Sequence, residues 1–423
     1  MSTAVIIFGL AGSCFIGAAG CQLGLAIRES LRRARFQREA DRISLDLLRR
    51  RAEAVASQVR SRMEPANAGW NGFRKFVVQR KELEAENIYS FYLAPHDGKP
   101  LPTFLPGQFL TLQLRLPGVE KPVVRCYSLS DCPHSDHFRI TVKRCLAPPN
   151  VPDAPHGVVS CHLHEHVVKG DILDVKAPTG QFYLDTHKSK PAVMIGGGIG
   201  ITPLLSMAST VIATGSPREI WMFYGVRNGR EHVLSGFLRE MSRQQDNFHF
   251  VACYSCPDPD DVEGRDYDYR GRIDRQLLQR YLKSNNYEFF ICGPSPMMSA
   301  VTKSLADWGV PESDIRSEAF GPASVPKPKK EVGAPAASAI TIKFSRSQKS
   351  VTWDGKANSL LDFGENVGAD MQGGCRVGNC GTCEVAVLAG EVEYNCKPEY
   401  PDLGDGCCLA CISTPKGNLV LDA

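Results

Sequence analysis

Neither sign of charge dominates this chain: 49 Lys and Arg against 46 Asp and Glu leave a formal net charge of +3 over 423 residues. So small an excess does not point to a nucleic-acid partner. Internal repeats are also missing, which excludes a stacked-repeat architecture. The 16 cysteines lack the even spacing of a disulfide-stapled secreted scaffold, which is in any case a much shorter kind of chain. Seven of them (375, 380, 383, 396, 407, 408 and 411) fall in the last fifty residues, two lie in the apolar N-terminus and seven scatter between. That placement reads as a reducing-compartment protein with one metal site. A hydrophobic content of 43% and a charged content of 22% are globular values, and the length suggests roughly two to four domains.

Charge is absent altogether from Ala4 to Ile27, a run of 24 residues. At about 1.5 Å per residue such a helix crosses a hydrocarbon core of roughly 30 Å. The residues before it are only Met-Ser-Thr, without the positive region of a cleaved signal peptide. RESLRRARFQREADR and then LLRRR follow it directly, and arginine at one end of a span marks the cytoplasmic side. The expectation is a single-pass membrane anchor over 1–27, a basic helical spacer over 28–71, and catalytic domains in the cytoplasm.

Beyond Trp70 the pattern changes. Short β-branched runs separated by Pro and Gly predict an antiparallel β-barrel over 72–187. Between 188 and 322 strands alternate with helices: AVMIGG, then ITPLLSMASTVIA, EIWMFYG, a helix at 231–245, FHFVACYS, a helix at 274–283, EFFICG and PMMSAVTKSLADWG. Such alternation predicts an α/β domain with a parallel sheet. Residues 323–338, rich in Pro, Ala and Lys, read as an extended linker, and 339–423 as a further compact α+β domain.

The clearest chemical signal is CRVGNCGTC, which sets Cys375-x4-Cys380-x2-Cys383 with Cys411 after 27 intervening residues. This is the spacing of plant-type [2Fe–2S] ligation, in which one loop supplies three of four thiolates. Zinc sites favour paired C-x2-C units, and the first gap here is four. Gly373, Gly374, Gly378 and Gly381 let the loop curl and leave small positions beside the inorganic sulfides.

Through QGGCRVGNCGTCEVAVLAGEVEYN and the CLACIS ending, residues 339–423 resemble the plant-type ferredoxin module, a β-grasp domain. The resemblance implies that Cys411, in the final L-x-C unit, is the fourth ligand, and that Cys396, Cys407 and Cys408 are packing residues. Arg125-Cys126-Tyr127-Ser128 resembles the R-x-Y-[ST] flavin motif of the ferredoxin–NADP reductase superfamily. It implies Arg125 on the flavin phosphate, Tyr127 on the isoalloxazine or ribityl chain, and the Ser128 hydroxyl at flavin N5. Gly157-Val158-Val159-Ser160 is similar to the family's G-x-x-S, whose helix amides meet a pyrophosphate, and favours FAD over FMN.

IGGGIGITPLLSM, with Gly198, Gly200, Thr202 and Pro203, resembles the G-x-G-x-T-P nucleotide loop. Cys292-Gly293-Pro294 resembles the family's C-G-P, which implies Cys292 beside the nicotinamide C4. The ending SEAFGP implies Glu318 and Phe320 near the flavin. The order of domains is similar to the oxygenase reductases that serve phthalate dioxygenase and phenylacetyl-CoA epoxidase, and the nucleotide region to the reductase module of flavohaemoglobins. The resemblance thus implies hydride transfer from NADH or NADPH to FAD, with Ser128, Cys292 and Glu318 at the reacting centre. Single electrons would then pass to the [2Fe–2S] centre and on to an acceptor protein: an oxygenase, a cytochrome or a membrane complex. Two other readings stay open, a membrane-tethered iron–sulfur carrier without turnover and a quinone-reducing subunit of a respiratory complex.

Three features are read as structural. His162, His164 and His166 cannot share one helical face. Cys253 and Cys256 lie around a strand end, and 258–270 is a solvated loop. Arg227 and Arg230, after the second nucleotide strand, are the residues that could meet a 2′-phosphate; the lean is to NADH.

Overall fold

The computed structural model describes residues 45, 69–147, 153, 156–320, 340–398, 400 and 403–423. The expected anchor, nearly all of the spacer and the linker therefore lie outside the described residues. Among the described residues no helix is long and apolar enough to cross a membrane.

Six strands form the first sheet: β1 (Arg74–Ala85), β2 (Ile88–Pro95), β3 (Phe109–Leu114), β4 (Val123–Ser128), β5 (Phe138–Lys143) and β6 (Ile172–Thr179). They pair antiparallel in the order β4-β3-β6-β1-β2-β5, and a bridge from Leu129 to Ile140 joins the two outer strands. β-Branched and aromatic side chains at alternate positions turn inward, so Phe76, Val78, Phe91, Leu93, Leu110, Leu112 and Ile140 fill one core. Helix α1 (Val158–Glu165) closes one end, inserting Val159 and Leu163 into that core.

The second sheet is wholly parallel. Its strands β7 (Ala192–Gly197), β8 (Ile220–Val226), β9 (Phe248–Tyr254), β10 (Tyr269–Arg270), β11 (Glu288–Cys292) and β12 (Ile315–Glu318) run in the order β10-β9-β8-β7-β11-β12. All residues of β7 and β11 are buried, as expected for strands covered on both faces. The covering helices are α2 (Ile201–Ala213), α3 (Ser235–Gln244), α4 (Arg275–Tyr281) and α5 (Ser295–Asp307). Asp274 starts α4 by accepting the Leu277 amide at 2.8 Å. The helix expected over 231–245 begins later, at Ser235, because Leu234 takes the left-handed conformation (φ 52°) and breaks the turn.

The third unit is a mixed sheet of β13 (Thr341–Phe344), β14 (Lys349–Thr352), β15 (Glu384–Ala389), β17 (Cys407–Leu409) and β19 (Leu419–Leu421). A second pair, β16 (Val392–Tyr394) with β18 (Ser413–Pro415), lies beside it. Helix α6 (Leu360–Asn366) is capped by Ser359, which accepts the Asp362 amide, and buries Leu360, Leu361 and Phe363. Between α6 and β15 the chain makes neither helix nor strand, and this stretch is the cysteine loop.

Candidate flavin and cluster site

A cavity of about 490 Å³ opens at the end of the barrel, within the usual range for cofactor sites. β4 contributes Arg125, Cys126, Tyr127 and Ser128, and α1 with its preceding turn contributes Gly157, Val158, Val159 and Ser160. Thr202 and the run Glu318–Phe320 reach it from the nucleotide domain, and Cys375, Val377 and Asn379 from the cysteine loop. Five motifs far apart in sequence thus meet on one surface.

Strand alternation sets Arg125 and Tyr127 on one face of β4, and Cys126 and Ser128 on the other. Burial lowers Arg125 from the usual guanidinium range, and the Arg376 charge across the cavity adds to this. A phosphate there would relieve both effects. Burial, and then the neighbouring Cys145, pushes the Tyr127 hydroxyl well above its ordinary range, so it stays neutral. Ser128 Oγ donates to Glu318 Oε2 at 3.5 Å, and both side chains are buried. Ser160 acts chiefly as a clip: its hydroxyl accepts the Cys145 amide at 3.1 Å and donates to the Gly157 carbonyl at 2.9 Å. A Cβ on Gly157 would stand 2.7 Å from both Ser160 Oγ and Cys145 Cβ, so the turn into α1 needs glycine. The donors and dimensions fit a flavin nucleotide.

Gly198, Gly200, Pro203, Cys292, Gly293 and Pro294 do not line the cavity. They gather at the carboxyl ends of β7 and β11, the ligand edge of an open parallel sheet. Gly200 is packed so closely that a Cβ would lie 2.3 Å from the Cys292 carbonyl. Cys292 pairs in register with Gly196 and with Glu318, which places it one strand from the carboxylate that Ser128 contacts. Burial, reinforced by Glu318, pushes the Cys292 thiol well up, so the group is neutral and shapes the site rather than attacking.

Cys380, Cys383 and Cys411 are buried and Cys375 partly so; all four are free thiols. Backbone amides already point at the sulfurs: Cys375 N to Cys380 Sγ at 3.2 Å, Asn379 N to Cys375 Sγ at 3.3 Å and Cys411 N to Cys383 Sγ at 3.4 Å. Such donors stabilise thiolates bound to iron. Hydrogen bonds from Cys126 and Cys375 hold the Cys380 thiol far below the usual thiol range. A Cβ on Gly374 would stand 2.7 Å from Cys380 Sγ, so this cradle tolerates no side chain there. Four thiols with converging amides fit the [2Fe–2S] group. Cys408 is fully buried in the core of this unit and Cys396 packs at its margin.

Two contacts escaped the sequence reading. Cys126 bonds to Cys375 and Cys380, and Lys121 pairs with Asp370 at 2.6 Å, so the β3–β4 hairpin seats the cysteine loop. A variable position inside R-x-Y-S carries no pattern that would flag it. Other readings are settled by burial. Cys253 is buried but Cys256 is exposed, so only the former packs. His164 Nε2 meets the Val142 carbonyl at 2.8 Å, apart from His162 and His166, whose rings lie 5.2 Å from each other.

Comparison with known proteins agrees with this division. Residues 75–183 match an oxidoreductase FAD-binding domain, 194–303 an oxidoreductase NAD-binding domain and 342–416 a 2Fe-2S iron-sulfur cluster binding domain. A flavohemoprotein of Halalkalibacterium halodurans is 42% identical over 258 residues, 61% of this chain and 62% of that protein. The chain therefore spans about three fifths of the length of that relative. The flavohem-like FAD/NAD-binding domain of a Vibrio cholerae nitric oxide dioxygenase superposes with a TM-score of 0.53 at 30% identity, over 59% of this chain and all of that one. Phthalate dioxygenase reductase, described as a modular structure for electron transfer from pyridine nucleotides to [2Fe-2S], superposes with a TM-score of 0.53 at 25% identity, over 84% of this chain and 98% of its own.

Proposed function

Because this chain belongs to the ferredoxin–NADP reductase-like superfamily and ends in a [2Fe–2S] domain, we propose that it is an NAD(P)H-dependent reductase that hands single electrons to a protein acceptor. The observation that carries the reading is the shared cavity, in which Arg125, Tyr127 and Ser128 face Cys375, Val377 and Asn379. Bound FAD would supply the conversion of a two-electron hydride into single electrons. The chain's own residues then bind, orient and shield. Arg125 and the first-turn amides of α1 would hold the phosphates, and Tyr127 would lie against the ring system. Ser128 would offer its hydroxyl to the ring nitrogen that accepts hydride, its one proton turning from Glu318 to that nitrogen when FAD binds. Cys292 and Gly200, in contact across the sheet edge, set the floor on which the nicotinamide rests. Cys375, Cys380, Cys383 and Cys411 would hold the cluster, and Cys375 brings their loop to the wall of the same cavity.

The donor is NADH in this reading. Asp258 binds Arg230 through two bonds of 2.8 and 3.1 Å, and Asp261 accepts the Gly229 amide at 3.1 Å. These carboxylates offset Arg230, where a 2′-phosphate would need free positive charge. The test is an absorption spectrum of the full-length protein before and after anaerobic NADH, then NADPH. Flavin and iron–sulfur bands bleached by NADH support the proposal. An iron–sulfur spectrum without flavin, unmoved by either nucleotide, overturns it.

The acceptor belongs to the class of oxygenases, cytochromes or membrane redox complexes. Membrane attachment rests on the uncharged run 4–27 and the arginines after it. Detergent-phase partitioning that disappears when the chain starts at residue 65 is the expected result, and equal partitioning of both forms removes the anchor from the account.

A further inference from the structure

The turn between β4 and β5 carries Asp131-Cys132-Pro133-His134, a run that the flavin, nucleotide and cluster motifs leave unused. All three polar side chains are buried, with exposures of 2% for Asp131, 1% for Cys132 and 5% for His134. His134 Nε2 lies 3.6 Å from Cys132 Sγ and 3.5 Å from Asp131 Oδ2. The carboxylate, thiol and imidazole ligand atoms all fall within 4.8 Å of one another. Tetrahedral zinc, with bonds of about 2.3 Å to sulfur and about 2.0 Å to nitrogen or oxygen, sets its ligand atoms about 3.3–3.6 Å apart. Both measured edges match that geometry.

A nucleophilic Cys–His–Asp relay is the competing arrangement, and the geometry argues against it. A relay places thiol and carboxylate on opposite ring nitrogens. Here one nitrogen faces both, as a common ligand centre requires. Arg139 also contacts Asp131 Oδ2, at 3.3 Å, and the Cys132 amide donates to Oδ1 at 2.9 Å. A carboxylate oxygen accepts more than one partner, and these bonds fix its direction. Thiolate with imidazole and carboxylate selects a borderline ion such as zinc over calcium or magnesium, which take oxygen ligands.

The location supplies a purpose. Ser206 Oγ, on α2, donates to the Asp131 carbonyl at 2.8 Å, and Cys132 packs on Ala213 of the same helix. The turn is thus the seam between the barrel and the nucleotide domain. We propose that Asp131, Cys132 and His134 form a structural zinc site that locks the β4–β5 turn beneath α2, separate from the cysteine loop.

The test is elemental analysis of full-length holoprotein purified without a metal-affinity resin, before and after equilibration with Zn²⁺ and desalting. Expected are about one zinc and about two iron per chain. C132A and H134Q should reduce zinc at least tenfold while iron is unchanged, and C411A should lose iron while zinc stays. Should the variants not fold, zinc-edge X-ray absorption of the wild-type protein decides, with one sulfur ligand expected. Zinc below a tenth of an equivalent after Zn²⁺ treatment overturns the proposal. So does a four-sulfur signal, or zinc that survives C132A and vanishes in C411A, because either places the ion in the cysteine loop.

Discussion

The two walls of the shared cavity are built in opposite ways. On the barrel side Arg125, Tyr127 and Ser128 sit on a hydrogen-bonded strand whose inward neighbours belong to a continuous core. On the other side Cys375, Val377 and Asn379 sit in a loop without helix or strand, shaped by glycines and by amides aimed at sulfur. The strand wall is held by backbone pairing and apolar burial, which need no cofactor. The loop wall gathers four thiols, and metal binding contributes folding energy where ligands would otherwise be a cluster of buried polar groups. Removing a cofactor should therefore affect the two walls unequally.

The largest effect that sharpens this contrast is C411A, which should remove nearly all iron–sulfur absorbance and make 340–423 protease-sensitive while the flavin spectrum persists. Equal loss of flavin would break the distinction. Next comes a scaffold lesion. Glu288 on β11 is buried and pairs with Arg218 and, at 2.9 Å, with Lys188. E288Q takes the carboxylate from the buried Arg218, which keeps the Lys190 and Asp185 carbonyls, and should cost about 3–5 kcal/mol in chemical denaturation, with iron content unchanged until unfolding. Within the cavity, S128A should slow flavin reduction by NADH about 100-fold and leave dithionite reduction of the cluster unaltered. A matching fall in both rates would show that Ser128 acts through folding.

A smaller effect is set by pH. His232 is buried, with Nδ1 2.8 Å from Tyr254 Oη, and burial lowers it from 6.5 to about 3, aided by Arg239. The unfolded chain takes a proton below 6.5 that the folded chain refuses, so stability is full above 6.5 and falls toward 3. The slope should reach about 1.4 kcal/mol per pH unit, and H232Q should flatten it by that one proton in denaturant titrations at pH 4–7. The smallest change is K121E, which breaks the exposed pair with Asp370 and should alter stability by less than about 1 kcal/mol. Its mark should be a salt-dependent slowing of cluster reduction, and a rate independent of ionic strength would remove Lys121 from the seam.

Much of this was legible in the chain. The alternation of short apolar runs such as AVMIGG with helical stretches declared a parallel sheet, because each helix returns the chain to start the next strand in the same direction. The Cys-x4-Cys-x2-Cys spacing declared its group because one loop must present three thiolates to two irons. Local exceptions were not visible. Leu234 has nothing in its side chain to announce a left-handed turn, and Ser160 looked like a ligand residue before its hydroxyl was seen clipping Cys145.

Sequence determined the types of element and their order through side-chain period, and the cluster chemistry through cysteine spacing, while the flavin and nucleotide chemistries came from resemblance to a known family. Tertiary structure alone decided which motifs share a wall. Ser128 meets Glu318 across 190 residues, Cys126 meets Cys375 across a domain boundary, and Cys132 comes to rest under α2. These pairings are set by how the barrel, the parallel sheet and the cysteine loop pack on one another. Packing of that kind leaves no periodic trace in the chain, because a single contact constrains two positions and no interval between them.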